Sequence, residues 1–314
     1  MKKTLLLLSA FFFLSSSFAQ EDYKKITLDD LWRNNTFYAE SVYGLRSMND
    51  GEHYTTLNRS GKLEKYAYET GELVSLILNT SELEIGRVSD YTFNSDESKL
   101  LLITNRESIY RHSFTADYYI FDMQTESVKP LSEKGVQQVA EFSPDGEKVA
   151  FVRNNNLFIK FLETGEERQI TDDGRHNKII NGIPDWVYEE EFGYNQAYTW
   201  MPDSKSLAYV KFDESEVPMF GMPLYAGLFP KKTENALYPE YYTFKYPKAG
   251  DDNAVVSVHV YHLDNENTIT CDIGEETDIY IPRIRPIKSS GNLAIFRLNR
   301  LQNKLELLET NISN

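Results

Sequence analysis

Residues 143–152 read Ser143-Pro144-Asp145-Gly146-Glu147-Lys148-Val149-Ala150-Phe151-Val152, a tight turn followed at once by an apolar run. Pro, Asp and Gly each favour turn geometry, and β-branched and aromatic residues favour a strand. The unit recurs along the chain. Asn49-Asp50-Gly51 precedes His53 to Leu57, Asn94-Ser95-Asp96 precedes Lys99 to Thr104, and Met201-Pro202-Asp203-Ser204 precedes Ser206 to Val210. Lys288-Ser289-Ser290-Gly291 precedes Asn292 to Leu298. Anchored at Asp50, Asp96, Asp145, Asp203 and Gly291, the turns lie 46, 49, 58 and 88 residues apart. The first two intervals match the about 40–50 residues of one propeller blade, and the later two require insertions. The expected fold is therefore all-β, a partial β-propeller of about four to five blades, its four-stranded sheets packed radially. A β-sandwich would leave a turn repeated at blade spacing without explanation.

The third interval holds Pro184-Asp185-Trp186-Val187-Tyr188-Glu189-Glu190-Glu191-Phe192. Pro184 followed by Asp185 is a helix-start signal, with Asp185 as N-cap and acids favoured in the first turn. A bare run of three glutamates reads as a solvated helix turn, because Glu is seldom buried. The aromatic neighbours Trp186 and Tyr188 argue for an anchored one. A short helix would then hold Glu190 and Glu191 side by side. Two fixed carboxylates form a receptor for a cation, and a primary ammonium with three donors suits them.

The string Asp185-Trp186-Val187-Tyr188-Glu189-Glu190-Glu191 resembles the glutamate motif of dipeptidyl peptidase IV, in the prolyl oligopeptidase family of serine peptidases. That resemblance implies that Glu190 and Glu191 grip the free α-amine of a peptide substrate. A second string, Tyr110-Arg111-His112-Ser113-Phe114-Thr115-Ala116, is similar to another segment of the family, with aromatic changes at Tyr110 and Phe114. It implies that Arg111 reaches the same site, donates to a carbonyl of the bound dipeptide and orients the glutamates. A planar guanidinium with five donors can serve carboxylate and carbonyl together. His112 reads as a structural blade residue. Asp213 to Pro218 and Tyr246 to Gly250 also look family-like and read as scaffold, with Glu216 as a possible support for the glutamate helix.

The family pattern is an eight-bladed ring followed by an α/β-hydrolase domain. The resemblance covers its N-terminal portion, so residues 42–314 are expected to form an incomplete propeller, an open arc with exposed strand edges. Residues 20–41, with Thr27 or Asp29 able to cap a short helix bearing Leu28, Leu31 and Trp32, are implied to pack on the hydrolase domain. The hydrolase needs a G-x-S-x-G elbow with Asp and His following it, and no such string occurs in the 314 residues. No catalytic serine, aspartate or histidine is assigned here.

Residues 1–19 combine Lys2 and Lys3, the apolar run Leu5 to Leu14 and the small-x-small site Ser17-Phe18-Ala19. They read as a secretory signal peptide of a periplasmic or secreted protein. A retained anchor is the alternative, but the run is short for the ~20 residues of a span. The formal net charge is −15, and removing the two lysines of the leader would make it −17. Such acidity opposes nucleic acid and anionic lipid as partners. The single cysteine, Cys271, rules out an intrachain disulfide and reads as a small buried residue. No cofactor or zinc site is suggested.

The functional expectation is the substrate-gripping propeller of a dipeptidyl peptidase IV-like exopeptidase that removes X-Pro or X-Ala dipeptides. Its partners would be peptide N-termini, and the resemblance implies homodimers for full-length relatives. A tripeptidyl relative, a non-catalytic peptide-binding propeller and an inactive remnant are the alternatives.

Overall fold

A computed structural model describes residues 25–39, 41–225 and 237–312. The expected leader, residues 1–19, lies outside the described residues. The chain divides into two compact units, residues 1–44 and 45–314. In the first, helix α1 (Leu28–Trp32) is capped by Thr27. Thr27 Oγ1 accepts from Asp30 N at 3.1 Å while the Asp30 carboxylate accepts from Thr27 N at 3.0 Å, a reciprocal capping box. Leu28, Leu31 and Trp32 are all exposed. Among the described residues no helix is long and apolar enough to cross a membrane.

The second unit is a succession of antiparallel sheets, all but the fourth blade simple meanders in chain order. Blade one has β1 (Arg46–Ser47), β2 (His53–Leu57), β3 (Lys62–Ala67) and β4 (Leu73–Asn79). Blade two has β5 (Asp90–Phe93), β6 (Lys99–Ser108), β7 (Phe114–Asp122) and β8 (Ser127–Pro130). Blade three has β9 (Gln138–Phe142), β10 (Lys148–Arg153), β11 (Asn156–Phe161) and β12 (Glu167–Gln169). Blade four begins with β13 (Ile179–Asn181), detours through helix α2 (Trp186–Phe192), and resumes with β14 (Tyr198–Trp200) and β15 (Ser206–Asp213). A separate hairpin, β16 (Met219–Leu224) and β17 (Glu240–Lys245), then intervenes before β18 (Val255–His262) and β19 (Asn267–Thr270) complete the blade. Blade five shows β20 (Ile279–Pro286), β21 (Leu293–Asn299) and β22 (Leu305–Thr310). This is the all-β propeller architecture expected from the repeats.

All of the repeated turns join the first strand of a blade to the second, and one chemistry builds most of them. The backbone N–H two residues on donates to the aspartate carboxylate: Glu52 to Asp50 at 3.0 Å, Ser98 to Asp96 at 3.0 Å, Glu147 to Asp145 at 3.0 Å and Lys205 to Asp203 at 2.9 Å. In blade five Ser290 takes this role, its hydroxyl accepting from Asn292 N at 3.3 Å. The turns also join neighbouring blades. Asn49 donates to Ser95 and Glu97 in the next turn, and Asp145 N donates to Ser204 Oγ at 2.9 Å. Gly146, at φ +72°, lets Asn94 approach so closely that a Cβ there would lie 2.8 Å from the Asn94 amide nitrogen.

Apolar packing follows the same order. One cluster joins blades one and two through Leu63, Tyr91, Leu100, Leu102 and Phe121. A second joins blades two and three through Leu101, Tyr118, Val149, Phe151 and Phe158. The largest runs through blades three, four and five and includes Ile159, Tyr188, Phe212, Val258, Ile281 and Ile295, with Cys271 buried in it. At the two ends of the series, Leu73, Val74 and Leu76 on β4 and Leu305 and Leu307 on β22 are exposed.

Candidate functional site

The glutamate helix exists because the first strand of blade four is interrupted. β13 and β14 pair with successive parts of the same edge of β15, Ile179–Asn181 against Lys211–Asp213 and Tyr198–Trp200 against Leu207–Tyr209. The chain leaves between them at Gly182 and returns at Ala197, whose N–H donates to Gly182 O at 2.8 Å. Gly182 is suited to this crossing. Its φ is +78°, and a Cβ would lie 2.6 Å from Leu157. The excursion carries α2, with Asp185 as N-cap accepting from Tyr188 N at 3.0 Å and Gly193 in the left-handed conformation at the C-cap.

The aromatic residues anchor the helix. Tyr188 is fully buried, and its hydroxyl accepts from Ile281 N of blade five at 2.9 Å. Its ring meets Phe212 at 4.8 Å and Tyr280 at 5.8 Å between centroids. On the other side Trp186 packs on Tyr246 at 4.3 Å and Phe244 at 6.5 Å, at the base of the β16–β17 hairpin.

The three glutamates divide by environment. Glu189 is 1% exposed. One of its oxygens, Oε1, accepts from both His112 N at 2.7 Å and Ser113 N at 2.8 Å. These charge-assisted bonds offset the cost of burying the carboxylate. Asn195 adds a bond from its side-chain amide to His112 O at 3.1 Å. The 111–113 turn of blade two is thereby tied to the glutamate excursion of blade four. Arg111, presented by that turn, places Nε 3.1 Å from Glu190 Oε2. Glu190 is largely shielded, whereas the Arg111 side chain is mostly exposed. Glu191 is exposed and, among the described residues, forms no ion pair. The structure thus brings Arg111 and Glu190 together and leaves Glu191 beside them facing solvent. His112 contributes only backbone groups to these ties.

A cavity of about 220 Å³ lies under this assembly, lined by Tyr110, Asp185, Glu189, Asn195, Glu214 and Lys245 among others. Burial pushes the Asp185 carboxyl up to about 6. Burial, and next the charge of Asp185, pushes Glu214 up to about 7, opposed by Lys245. Lys245 Nζ donates to the carbonyls of Ser215 at 2.9 Å and Val217 at 2.7 Å. The support expected from Glu216 is not there. Glu216 is exposed, and Glu214, two residues earlier, is the buried acid: the alternation of β15 carries Phe212 and Glu214 inward, and a turn closed by Val217 N on Glu214 O at 3.1 Å ends that alternation before Glu216.

Glu189 and Glu214 are the residues that a linear reading misses. For Glu189 a signal exists: helical spacing puts Asp185, Tyr188, Glu189 and Phe192 on one face and Trp186 and Glu190 on another. Its partners lie 76 and 77 residues away and have no sequence signal.

Fold and site together define a propeller domain whose fourth blade displays a tethered carboxylate helix beside an arginine from the second. The family described as "Dipeptidyl peptidase IV (DPP IV) N-terminal region" matches residues 94–313, more than half of the chain, and the chain belongs to that family. It is similar to the crystal structure of Porphyromonas gingivalis dipeptidyl peptidase 4, with 42% identity and a TM-score of 0.82 over 92% of this chain and 40% of that one. It is 36% identical over 215 residues to a Talaromyces marneffei protein named "Probable dipeptidyl-aminopeptidase B", covering 65% of this chain and 24% of the relative. It is 34% identical over 229 residues to dipeptidyl peptidase 4 of Trichophyton rubrum, covering 71% of this chain and 29% of the relative. The chain therefore spans well under half the length of the relatives it matches.

Proposed function

We propose that the chain is the substrate-gripping propeller of a dipeptidyl peptidase IV-like serine exopeptidase of the cell envelope or its exterior. Glu190 and Glu191 receive the α-ammonium of a peptide, and Arg111 donates to the carbonyl of its first residues. Stopping the charged amine at a fixed point measures two residues to the cleaved bond, so the products would be N-terminal dipeptides with Pro or Ala second. The nucleophile would come from a hydrolase domain outside these 314 residues. The leader-like residues 1–19 support export.

The observation that carries this reading is the Arg111–Glu190 pair, 3.1 Å apart, with both backbones tied through Glu189. An exposed arginine pair contributes little to stability on its own. Held rigidly on tethered segments beside a second unpaired carboxylate, it is an organised receptor for one more cation. The test is a titration of the chain with a short Gly-Pro peptide and its N-acetylated analogue. The free-amine peptide is expected to bind and the acetylated one to bind far more weakly. Glu190→Ala should lower the free-amine affinity about 10- to 100-fold, the loss of one charge-assisted bond. Equal binding of the two peptides by the unaltered chain would refute the reading.

A further inference from the structure

Arg283 is a half-buried cation in an acidic chain, yet among the described residues it forms no salt bridge. Its donors go elsewhere. One terminal nitrogen bonds the carbonyl of Phe192 at 2.7 Å, and the other bonds the carbonyl of Pro282 at 2.6 Å. The guanidinium carbon lies 4.6 Å from the centre of the Tyr194 ring. Two bonds and a stacking contact lock the group in place.

Phe192 is the last residue of α2, and its carbonyl is one of those a helix end leaves without an internal partner. A cation there also suits the helix dipole. Blade five supplies the rest of the seat. The pairing of β20 with β21 shifts register between Tyr280 and Arg283, an irregularity that re-aims the side chains. Ile281 N donates to Tyr188, and the Tyr280 ring meets Phe192 at 5.4 Å.

The two amine-binding candidates are held differently. Glu190 has a side-chain tether, Arg111. Glu191 has none among the described residues, so only its backbone sets its direction, and the next peptide group is the one Arg283 grips. We propose that Arg283 is a positioning residue for substrate-amine recognition, which aims Glu191 by fixing the C-terminal end of the glutamate helix to blade five. The proposal rests on the amine-capture reading above.

The test is a double-mutant cycle read by peptide affinity on the whole chain, with thermal melting as the control for folding. Arg283→Gln should weaken binding of the free-amine Gly-Pro peptide about tenfold and leave the acetylated peptide unchanged. In a Glu191→Gln background the same change should add almost nothing, while in a Glu190→Gln background it should keep its full effect. Arg283→Lys can still donate to the Phe192 carbonyl and should lose less. If the glutamine variant does not fold, the lysine variant carries the same cycle with the same expected pattern. Equal losses on both peptides, or full additivity with Glu191→Gln, would overturn the proposal while the amine-capture reading stands. An unaltered chain that binds both peptides alike would remove the reading and this proposal with it.

Discussion

Blade three and blade four share a core yet are built on different principles. Blade three is an uninterrupted meander, β9 to β12, its first two strands joined by the Ser143–Gly146 turn. Its centre is the stacked pair Phe151 and Phe158, 5.5 Å apart, beside the shielded ion pair of Arg153 and Glu167 at 2.8 Å. Blade four keeps the same turn at Asp203 but is broken twice, once by α2 inside its first strand and once by the β16–β17 hairpin between β15 and β18. The regular blade keeps to the repeat and meets its neighbour through bonds from its own strands and turns, such as Asp145 N to Ser204 Oγ at 2.9 Å. The interrupted blade spends its insertions on groups from other blades: Glu189 on blade two, and Tyr188 and Phe192 on blade five. The lesson is that the repeat makes the platform and the departures from it make the site.

This contrast can be broken from either side. The largest effect belongs to the platform. Phe151→Ala should destabilise the chain by about 3–5 kcal/mol, since a fully buried ring leaves a cavity that its strand neighbours cannot close. Denaturant unfolding measures it, and a loss below about 1 kcal/mol would show that blade three does not carry the stability assigned to it.

Next is the crossing point of blade four. Gly182→Ala forces a side chain into the left-handed region and against Leu157 of blade three. About 1–3 kcal/mol of strain is expected. Because Gly182 starts the excursion, peptide affinity should fall along with the melting temperature. Unchanged affinity at a lowered melting temperature would separate the crossing from the site.

The smallest effect is a pH dependence centred beneath the helix. Asp185 and Glu214 are raised to about 6 and about 7, above the ordinary carboxylate range. Folding therefore favours their protonated forms. The stabilisation they contribute is full below the unfolded value, near 4, and is lost as pH rises through about 6 and about 7. Through these groups, lowering the pH from 8 to 5 raises the melting temperature. Glu214→Gln, uncharged throughout, should shrink that rise. An identical pH profile for variant and unaltered chain would show that Glu214 titrates as an ordinary acid.

Much of the fold was legible because its signals are local. An aspartate that accepts the amide two residues on needs no distant partner, so Asp50, Asp96, Asp145 and Asp203 mark the blades directly. The capping of α2 by Asp185 is local in the same way. The site was legible only in part. The local resemblance pointed to Arg111, Glu190 and Glu191, and the structure brings Arg111 to Glu190. Glu189, Glu214 and Arg283 escape that reading, and Glu216, expected to support the helix, is exposed while Glu214 is the buried acid.

By itself the sequence determined the blade repeat, the place of the acidic insertion within it and the presence of a capped, aromatic-anchored helix there. Only the tertiary structure decided which glutamate is buried, what ties it to the turn that carries Arg111 and what seats the helix from the far side. The reason is distance along the chain. Turn and cap bonds close over two or three residues, whereas Glu189 reaches across 76 and 77 residues and Arg283 across 91. Those partners meet only after successive blades have packed, so no local pattern of residues encodes the meeting.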